Sequence, residues 1–480
     1  MPHADARTAA PAGPSTERAG RRRADTAGSS AVAPRSAIDR ASPWAIAVLA
    51  TVLLGLMSTR TWVNMVATSW DTAIFAELAK AYASFSAPIV PIKGDDFNLL
   101  GDHFHPILVL LAPVWWVWPS GLALLWTQAA LFAASAVPLT RLAIERLGTG
   151  WGIAAGLGYA LGFGMQAAQD VGFHEIAFGV PLMALSLTAL LRGRDRAAIL
   201  WAAPLVFVKE DLGLTVLALA AVIWWTRPAA RRWAAGLAAW AAVWFVLATF
   251  VILPALNPLG GYDYTGNIGS IWQVFVPLDK WITVLMLALT AGLLGLRSPL
   301  ILVMLPTLAW RFTGNVEFYW TWYWHYNAIL MPIALAALLD VAPRVRWWHR
   351  RVAVAASVAV TLVLAGAMPL ASLLRPSTWD TTWRAAPAER AIAAVPAGAS
   401  VGTDITLMAR LVPDHDVQWI HGPNARVPRC VVVDDWAFSW NGEPPADAGA
   451  WADEHYKVAA GTFRPAVDDG GFRVVCRAGG

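Results

Sequence analysis

Long apolar runs alternate with short polar stretches between residues 42 and 374. A helix needs about 20 apolar residues to cross the roughly 30 Å hydrocarbon core of a bilayer, so each run predicts a membrane-spanning helix. The clear runs are residues 44–66, 121–142, 151–169, 176–191, 233–256, 281–296, 322–339 and 352–373, with a shorter run at 299–312. The pattern therefore predicts a polytopic α-helical membrane protein.

One apolar segment, residues 198–226, carries three adjacent charges in its middle, in the sequence "FVKEDLG". Three charges facing lipid would be very costly, and arginines flank the segment at both ends. Two short helices that turn at this motif would return both ends to the same side. Lys209, Glu210 and Asp211 would then line a protein cavity or its outer mouth. With this hairpin, the pattern predicts about eleven spans.

The basic residues give these spans an orientation. Short cytoplasmic loops of membrane proteins carry an excess of arginine and lysine, and here arginines collect in loops such as residues 192–196, 227–232 and 344–351. Residues 1–41 are rich in Ala, Arg, Ser and Pro without a hydrophobic period, which predicts a disordered, basic cytoplasmic tail. The N-terminus is therefore expected inside, and the C-terminus outside, a cell membrane that the chain crosses several times.

Composition supports the membrane class. Ordinary soluble domains have about a quarter charged residues, whereas 14% of this chain is charged and 57% is hydrophobic. The 28 tryptophans fit the same class, because indole rings prefer the membrane–water boundary. No Walker loop, GxSxG or Gly-rich dinucleotide turn lies in a suitable context, which disfavours a soluble nucleotide-dependent enzyme.

The pattern changes after residue 374. Residues 375–480 contain strand-like runs ("VGTDI", "VQWI", "CVVVDD" and "FRVVCR") separated by helix-like pieces, which predicts a small extracytoplasmic α/β domain, called the cap below. The membrane domain is then residues 42–374. Cys430 and Cys476 would lie in a compartment that permits oxidation, so a disulfide and two unpaired thiols both stay open.

Titratable residues concentrate in the predicted outer loops. The long first outer loop, residues 67–105, starts with an amphipathic helix and ends with "GDHFHP", and a later outer loop contains "QDVGFHEIAF". The candidates in these loops are Asp71, Asp102, His103, His105, His174 and Glu175. Carboxylates and imidazoles suit proton transfer or binding of a divalent cation. The alternatives are that Asp71 only stabilises its helix dipole and that the histidines only make the loops polar.

Two further motifs have a structural and a functional interpretation. In "VKED", Lys209 could neutralise a phosphate with Glu210 or Asp211 balancing its charge, or the charges could form an internal ion pair that fixes the hairpin. In "EFYWTWYWHYNAIL", the aromatic residues could form a membrane-boundary belt or a wall on which a sugar or prenyl chain stacks. His325 is the functional candidate in this second motif.

Five motifs appear in a fixed order: "WDTAIFAELAKA", "LLGDHFHPILVLLAP", "GFHEIAFGVPLMALSL", "FVKEDLGL" and "HYNAILMPIALAAL". Together they resemble the bacterial membrane-protein family called domain of unknown function 2079, over roughly residues 44–373. That family is grouped with the GT-C glycosyltransferase-like membrane proteins. The resemblance implies a first outer loop with an essential carboxylate, which Asp71 matches. Lys209 resembles the lysine of a Thr-Lys-Gly/Glu element, although Val-Lys-Glu-Asp departs from it.

The resemblance also implies a reaction, namely inverting transfer of a sugar from a polyprenyl-phosphate donor, often with a divalent metal. We therefore expect a membrane glycosyltransferase that uses a cell-envelope acceptor on the outer face and has the lipid bilayer, but no nucleic acid, as a partner. The expected catalytic residues are Asp71, Asp102 and His103. The expected substrate- and phosphate-binding residues are His105, His174, Glu175, Lys209, Glu210 and His325. A Mg or Mn ion would be held by Asp71, His103 and Glu175.

Two other function classes fit the same sequence. A transporter or lipid flippase would use the charges as a relay, but transporters usually place such groups near the midplane of repeated halves. Here the charges lie on one face and no repeat is visible, which favours the enzyme. A noncatalytic envelope assembly or sensor protein, whose cap binds a partner, stays open.

Overall fold

The computed structural model describes residues 36–258, 260–261, 266–267, 269–438 and 442–478, so most of the predicted disordered tail lies outside the described residues. The described part up to residue 374 is helical. Its α-helices are α1 Ala37–Val63, α2 Asp71–Ala83, α3 Ala112–Val117, α4 Gly121–Leu147, α5 Thr149–Ala160, α6 Phe163–Asp170, α7 Ile176–Leu191, α8 Asp195–Ala202, α9 Leu212–Thr226, α10 Arg231–Leu247, α11 Leu253–Leu256, α12 Asp279–Thr290, α13 Leu305–Thr313, α14 Glu317–Trp320, α15 Leu330–Val341 and α16 Trp347–Leu364.

Few of these helices are long enough to cross a membrane unbroken. Within the described ranges, three helices have the necessary length and apolar composition, namely Ala37–Val63, Gly121–Leu147 and Pro228–Leu256. The pair Glu317–Asn327 and Leu330–Arg344, bent by 67°, would add one more. The predicted count of about eleven spans is therefore not confirmed by helix length.

Several predicted spans are interrupted, among them the runs 151–169 and 322–339. The run 151–169 contains α5 and α6 with a break between them, where a Cβ on Gly162 would lie 2.6 Å from the Met331 side chain. The run 322–339 becomes α-helical only at Leu330. Hydropathy shows how apolar a segment is but does not show whether its helix is continuous, so it could not predict these breaks. A broken helix is tolerated in a membrane protein where its backbone is buried in protein.

The predicted hairpin at "VKED" is present. Helix α8 continues as a 3₁₀ turn, Ala203–Phe207, and α9 starts only after residues 208–211. The two ends of the segment meet, since Arg227 Nε lies 3.7 Å from Asp195 Oδ1. The chain therefore reverses at the three charges, as their cost in lipid predicts.

The first outer segment contains the predicted amphipathic helix as α2, with Ile74, Phe75 and Leu78 buried. The chain then runs irregularly to a 3₁₀ turn at Leu99–Gly101. A Cβ on Gly101 would lie 2.5 Å from the backbone of Leu256. Glycine at this position therefore permits close contact between the outer segment and the end of α11.

The cap contains a five-stranded sheet of order β2-β1-β3-β5-β4. Strands β1, β2 and β3 are parallel, and β5 is antiparallel to both β3 and β4. The strands are β1 Ser400–Thr403, β2 Asp416–Trp419, β3 Cys430–Asp434, β4 Phe463–Asp469 and β5 Phe472–Arg477, and the helices are α17 Ala385–Ala394, α18 Ile405–Leu411 and α19 Ala448–His455. The predicted α/β architecture of the cap is confirmed.

Alternating side chains of the central strand bury both faces of this sheet. Val431 and Val433 belong to the cluster that α19 covers, whereas Val432 belongs to the core that includes α17 and α18. Cys430 pairs directly with Cys476 across β3 and β5, and their sulfurs form a disulfide. Of the two alternatives for these cysteines, the structure contains the disulfide.

Candidate functional site

A cavity of about 950 Å³ lies between the outer segments and the VKED hairpin. Its wall contains all nine ionisable residues proposed from the sequence, although they come from distant parts of the chain. They are Asp71, Asp102, His103, His105, His174, Glu175, Lys209, Glu210 and His325. The structure therefore brings the predicted residues together in one chamber, while their individual roles stay predictions.

Two pairs of oppositely charged side chains line the cavity. Lys209 Nζ lies 2.9 Å from Glu175 Oε1, and His103 Nδ1 lies 2.8 Å from Glu210 Oε1. The other Glu210 oxygen accepts a hydrogen bond of 3.0 Å from the Phe104 backbone N–H. Burying these carboxylates is tolerated because each has a cationic or hydrogen-bonding partner.

The two histidines of "GDHFHP" differ in their charge state. Burial and the Lys209 charge lower the pKa of His103, but the adjacent Glu210 carboxylate raises it above its ordinary value overall. Burial lowers the pKa of His105 to about 4. The pair thus combines an imidazolium that can balance negative charge with a neutral imidazole.

Asp71 is the most accessible carboxylate among these ion pairs. Its side chain is 27% exposed, compared with 3% for Glu175 and 2% for Glu210. Helix α2 begins at the edge of the cavity. Asp71 is in the first turn of this helix and therefore lines the cavity. A carboxylate that must meet an incoming substrate needs this access, so Asp71 fits a proton acceptor better than the two buried glutamates do.

His174 links Asp71 to the rest of the cavity wall. Its Nε2 lies 3.4 Å from Asp71 Oδ2, and its Nδ1 lies 3.2 Å from the Gly172 carbonyl oxygen. A carbonyl oxygen only accepts hydrogen bonds, so Nδ1 carries a proton. His174 Nε2 is therefore the ring nitrogen that faces the Asp71 carboxylate.

Gly172 adopts a conformation that favours glycine. Its φ is +105°, and a Cβ at this position would lie 2.7 Å from Thr72 Oγ1. Its carbonyl oxygen also accepts a 2.8 Å hydrogen bond from Gln128 Nε2, and the His174 backbone N–H donates to the same Gln128 side chain at 2.9 Å. These contacts fix the orientation of His174 towards Asp71.

His325 lies against His174 with ring centroids 3.6 Å apart and an interplanar angle of 26°. It is only 6% exposed, and both its ring nitrogens are buried without a hydrogen bond inside the described part of the chain. A neutral imidazole with two unused nitrogens on a cavity wall is available to a ligand. This geometry fits the predicted substrate-binding role of His325.

Sequence reasoning missed the residue that holds the loop around His325. Arg311 is completely buried on α13 and donates to the Tyr319 and Thr321 carbonyl oxygens and, at 3.0 Å, to Asn327 Oδ1. These three bonds tie the irregular segment between α14 and α15 to α13. The only sequence signal was an isolated arginine within an apolar run.

Lys93 was also missing from the predicted site, whereas Asp211 lines the cavity as predicted for the three VKED charges. Lys93 Nζ lies 2.8 Å from Asp102 Oδ1 at the cavity wall. Asp211 accepts a 3.0 Å hydrogen bond from Trp310 Nε1 and lines the same cavity. The motif "KGDD" in the first outer loop is the signal that could have found Lys93.

The predicted metal ligands are not assembled. Within the described residues, no group of three or more His, Cys, Asp or Glu side chains is placed to hold a metal ion. Asp71, His103 and Glu175 share the cavity wall, but each is engaged by a different partner, as described above. The binding of one ion by these three residues stays a prediction.

The side of the cavity formed by α10 is apolar. Phe245 and Phe250 line it, and Phe250 is 66% exposed on the outer surface of the helix. Between residues 248 and 252 this helix is π-helical, a distortion often found at functional sites. The cavity therefore has an ionic wall and an aromatic side that reaches the exposed surface of the helix.

Comparison with known proteins gives two findings. The family model described as "Predicted membrane protein (DUF2079)" matches residues 61–422. The fold is similar to the crystal structure of ArnT from Cupriavidus metallidurans bound to undecaprenyl phosphate, with a TM-score of 0.55 and 13% sequence identity over 91% of this chain and 98% of that one. At this identity the similarity shows the fold alone, and this fold agrees with the predicted helical membrane architecture with a small C-terminal α/β domain. No curated protein matches the chain in sequence.

Proposed function

The chain belongs to the DUF2079 family of membrane proteins, and from this premise we propose that it is a membrane glycosyltransferase. It would move a sugar from a polyprenyl-phosphate donor to a cell-envelope acceptor on the outer face. The observation that carries the proposal is the cavity itself, which joins nine ionisable residues to an aromatic side open to lipid. A polyprenyl-phosphate sugar has the matching parts, a charged polar head and a long apolar chain.

The structural relative supports the same donor class. The ArnT structure of similar fold contains undecaprenyl phosphate. In this chain, the tail of such a lipid would leave the cavity past Phe245 and Phe250, while its phosphate would lie near Lys209 and His103. Cationic donors close to a leaving phosphate stabilise the charge that develops there.

The proposed reaction is a single displacement. The Asp71 carboxylate, which lies 3.4 Å from His174 Nε2, accepts the proton of an acceptor hydroxyl. The acceptor oxygen then forms a bond to the anomeric carbon of the sugar while the bond from that carbon to the phosphate oxygen breaks. The electron pair of the broken bond stays on polyprenyl phosphate, balanced by Lys209 and His103. The anomeric configuration is inverted.

The proposed orientation follows from the cap and the loops. A disulfide such as Cys430–Cys476 persists in oxidising compartments outside the cytoplasm. The arginine-rich ends of the helices, including the Arg192–Glu145 pair, lie in the loops expected inside. Both observations support an orientation with the cavity on the outer face, where lipid-linked sugars and envelope acceptors meet.

The direct test is transfer by the purified protein in lipid bilayers, with radiolabelled polyprenyl-phosphate sugars and a cell-envelope acceptor. We expect label in the acceptor for the unchanged protein and none for Asp71→Asn. Asp279→Asn, which changes an exposed acid at the start of α12 outside the cavity wall, serves as the control and should be fully active. Full activity of Asp71→Asn would remove Asp71 from the mechanism.

The same assay with a chelator separates the two chemical roles considered for Asp71, namely proton acceptor and ligand of a divalent cation. Because the geometry does not gather a ligand set for Mg or Mn, we expect transfer to continue after chelation. Loss of transfer that only added Mg or Mn restores would instead assign Asp71 to a metal site. The absence of transfer with every donor would favour a noncatalytic envelope protein.

A further inference from the structure

The cap contributes no side chain to the wall of the cavity within the described residues, since that wall is built from residues 68–326. The cap nevertheless contacts two elements that do line the cavity. One is α2, which carries Asp71 at its start. The other is the irregular segment 90–97, which carries Lys93. The contacts at these two elements decide what the cap can do to the site.

The cap holds α2 near its end and just before its start. Lys80 Nζ, in the last turn of α2, donates to the Val412 and His415 carbonyl oxygens of the cap at 2.6 and 2.9 Å. The ring of Trp70, which precedes α2 and lines the cavity, lies edge-on to Trp419 at the end of β2, with centroids 5.2 Å apart. The cap thus fixes the helix that presents Asp71.

The second contact is a clasp between Asp95 and the loop that connects β2 and β3. One Asp95 oxygen accepts hydrogen bonds from the Ala425 and Arg426 backbone N–H groups at 2.7 and 3.1 Å. The other accepts from Arg426 Nε at 2.8 Å. Burial raises the pKa of Asp95, but the hydrogen bonds from Arg426 and the two amides lower it below its usual value overall. Asp95 is therefore an ionised acceptor of three hydrogen bonds.

Lys93 stands two residues before this clasp. Its ammonium lies 2.8 Å from Asp102 Oδ1, 5.9 Å from the centroid of the Trp70 ring and 5.2 Å from that of Phe97. Lys93 therefore connects the start of the outer segment, at Trp70, to its end, at "GDHFHP". Any movement of segment 90–97 would therefore change the contacts of Lys93 with Asp102 and Trp70 at the cavity wall.

We propose that Arg426 and Asp95 are positioning residues, which hold Lys93 at the cavity wall and so set how well the acceptor binds. This inference rests on the proposed transferase function and adds to it a role for the cap. The proposed mechanism assigns the donor phosphate to Lys209 and His103, which leaves the Lys93 side of the cavity wall to the acceptor. The cap would act on the acceptor through a contact outside the cavity. The donor phosphate and the proton acceptor Asp71 are not touched by the clasp.

Arg426→Ala tests the proposal against a matched control. Arg426 pairs with Asp95 and is 55% exposed, whereas Arg390 pairs with Asp469 elsewhere on the cap and is 57% exposed. We expect Arg426→Ala to raise KM for the acceptor about fivefold, the factor that corresponds to the loss of about 1 kcal/mol from an exposed ion pair. The value of kcat should stay within about twofold, since the chemistry is untouched. Arg390→Ala should change neither constant, and Arg426→Lys should restore most of the acceptor affinity.

Hydrogen–deuterium exchange of the peptide that spans residues 90–97 gives a readout without catalysis. We expect faster exchange in Arg426→Ala and the exchange of the unchanged protein in Arg390→Ala, because only the first removes the side-chain hydrogen bond and the ion pair to Asp95. Unchanged exchange in Arg426→Ala would show that the Arg426 side chain does not hold the segment. Faster exchange with an unchanged KM would show that the segment does not set acceptor binding. Either result overturns the proposal while leaving the transferase function standing, whereas an unchanged protein without any transfer would refute both.

Discussion

The buried pair of Lys209 and Glu175 has two interpretations that one set of variants can separate. Either the pair only fixes the VKED hairpin, or Lys209 also receives the phosphate of the donor. The two side chains are 13% and 3% exposed with their charged atoms 2.9 Å apart. Lys209→Met keeps the length of the side chain but leaves Glu175 buried without its cation. Removing one partner of a buried ion pair costs about 3–5 kcal/mol of folding free energy.

The double variant Lys209→Met with Glu175→Gln removes both charges. Because a buried ion pair can be replaced by neutral residues with little loss, we expect this variant to recover most of the lost stability. Transfer should not recover with it. A hydrogen bond to a charged group contributes about 1.5–3 kcal/mol, so kcat/KM should stay about 10- to 150-fold below that of the unchanged protein.

Two measurements on the same samples test this expectation. Thermal unfolding at one scan rate in one detergent follows stability, and initial transfer rates in bilayers follow function. Arg192→Met, which breaks the pair with Glu145 outside the cavity wall, controls for the loss of an ion pair as such and should transfer normally. A double variant that is stable and transfers at the normal rate would show that Lys209 belongs only to an internal ion pair.

Three further variants probe the outer segment and the cap. Burial raises the pKa of Glu77 well above its usual value, so the folded protein retains a proton that the unfolded chain releases above about pH 4.3. Stability should therefore fall as pH rises from there towards the raised pKa, and Glu77→Gln should flatten this dependence of Tm on pH. Gly101→Ala would place a Cβ 2.5 Å from the Leu256 backbone, and we expect a loss of about 1–3 kcal/mol in thermal unfolding. Cys476→Ser removes the link to Cys430 across 46 residues, which should cost about 4 kcal/mol and make the cap sensitive to protease at lower temperature.

The sequence predicted the VKED hairpin and the convergence of the outer motifs for one physical reason. Charges are too costly in hydrocarbon to lie anywhere but in a shared polar space, so Lys209 and Glu210 had to meet the other outer polar residues. Which groups pair could not be predicted. The partners of Glu175 and Asp102 depend on the positions of distant loops, and no local spacing encodes these positions.

The cap shows the limit of local patterns in another way. Four of its strands follow strand-like runs of apolar residues, but β4, Phe463–Asp469, was not predicted. It contains Pro465 and mostly exposed side chains and pairs only with β5, so it is an edge strand. Proline and polar residues are tolerated at an edge, where one side of the strand makes no ladder. The formation of such a strand depends on pairing with its neighbour β5, and the sequence of β4 alone does not predict this pairing.

The opening of the cavity beside Phe250 affects how a substrate would be found and measured. A ligand whose tail stays among the acyl chains does not need to fit inside the protein, so tails of different length should serve equally well once they pass the aromatic side. Encounter then takes place by diffusion in two dimensions. The reaction rate should consequently follow the mole fraction of the donor in the bilayer, and diluting the proteoliposomes with buffer should leave it unchanged.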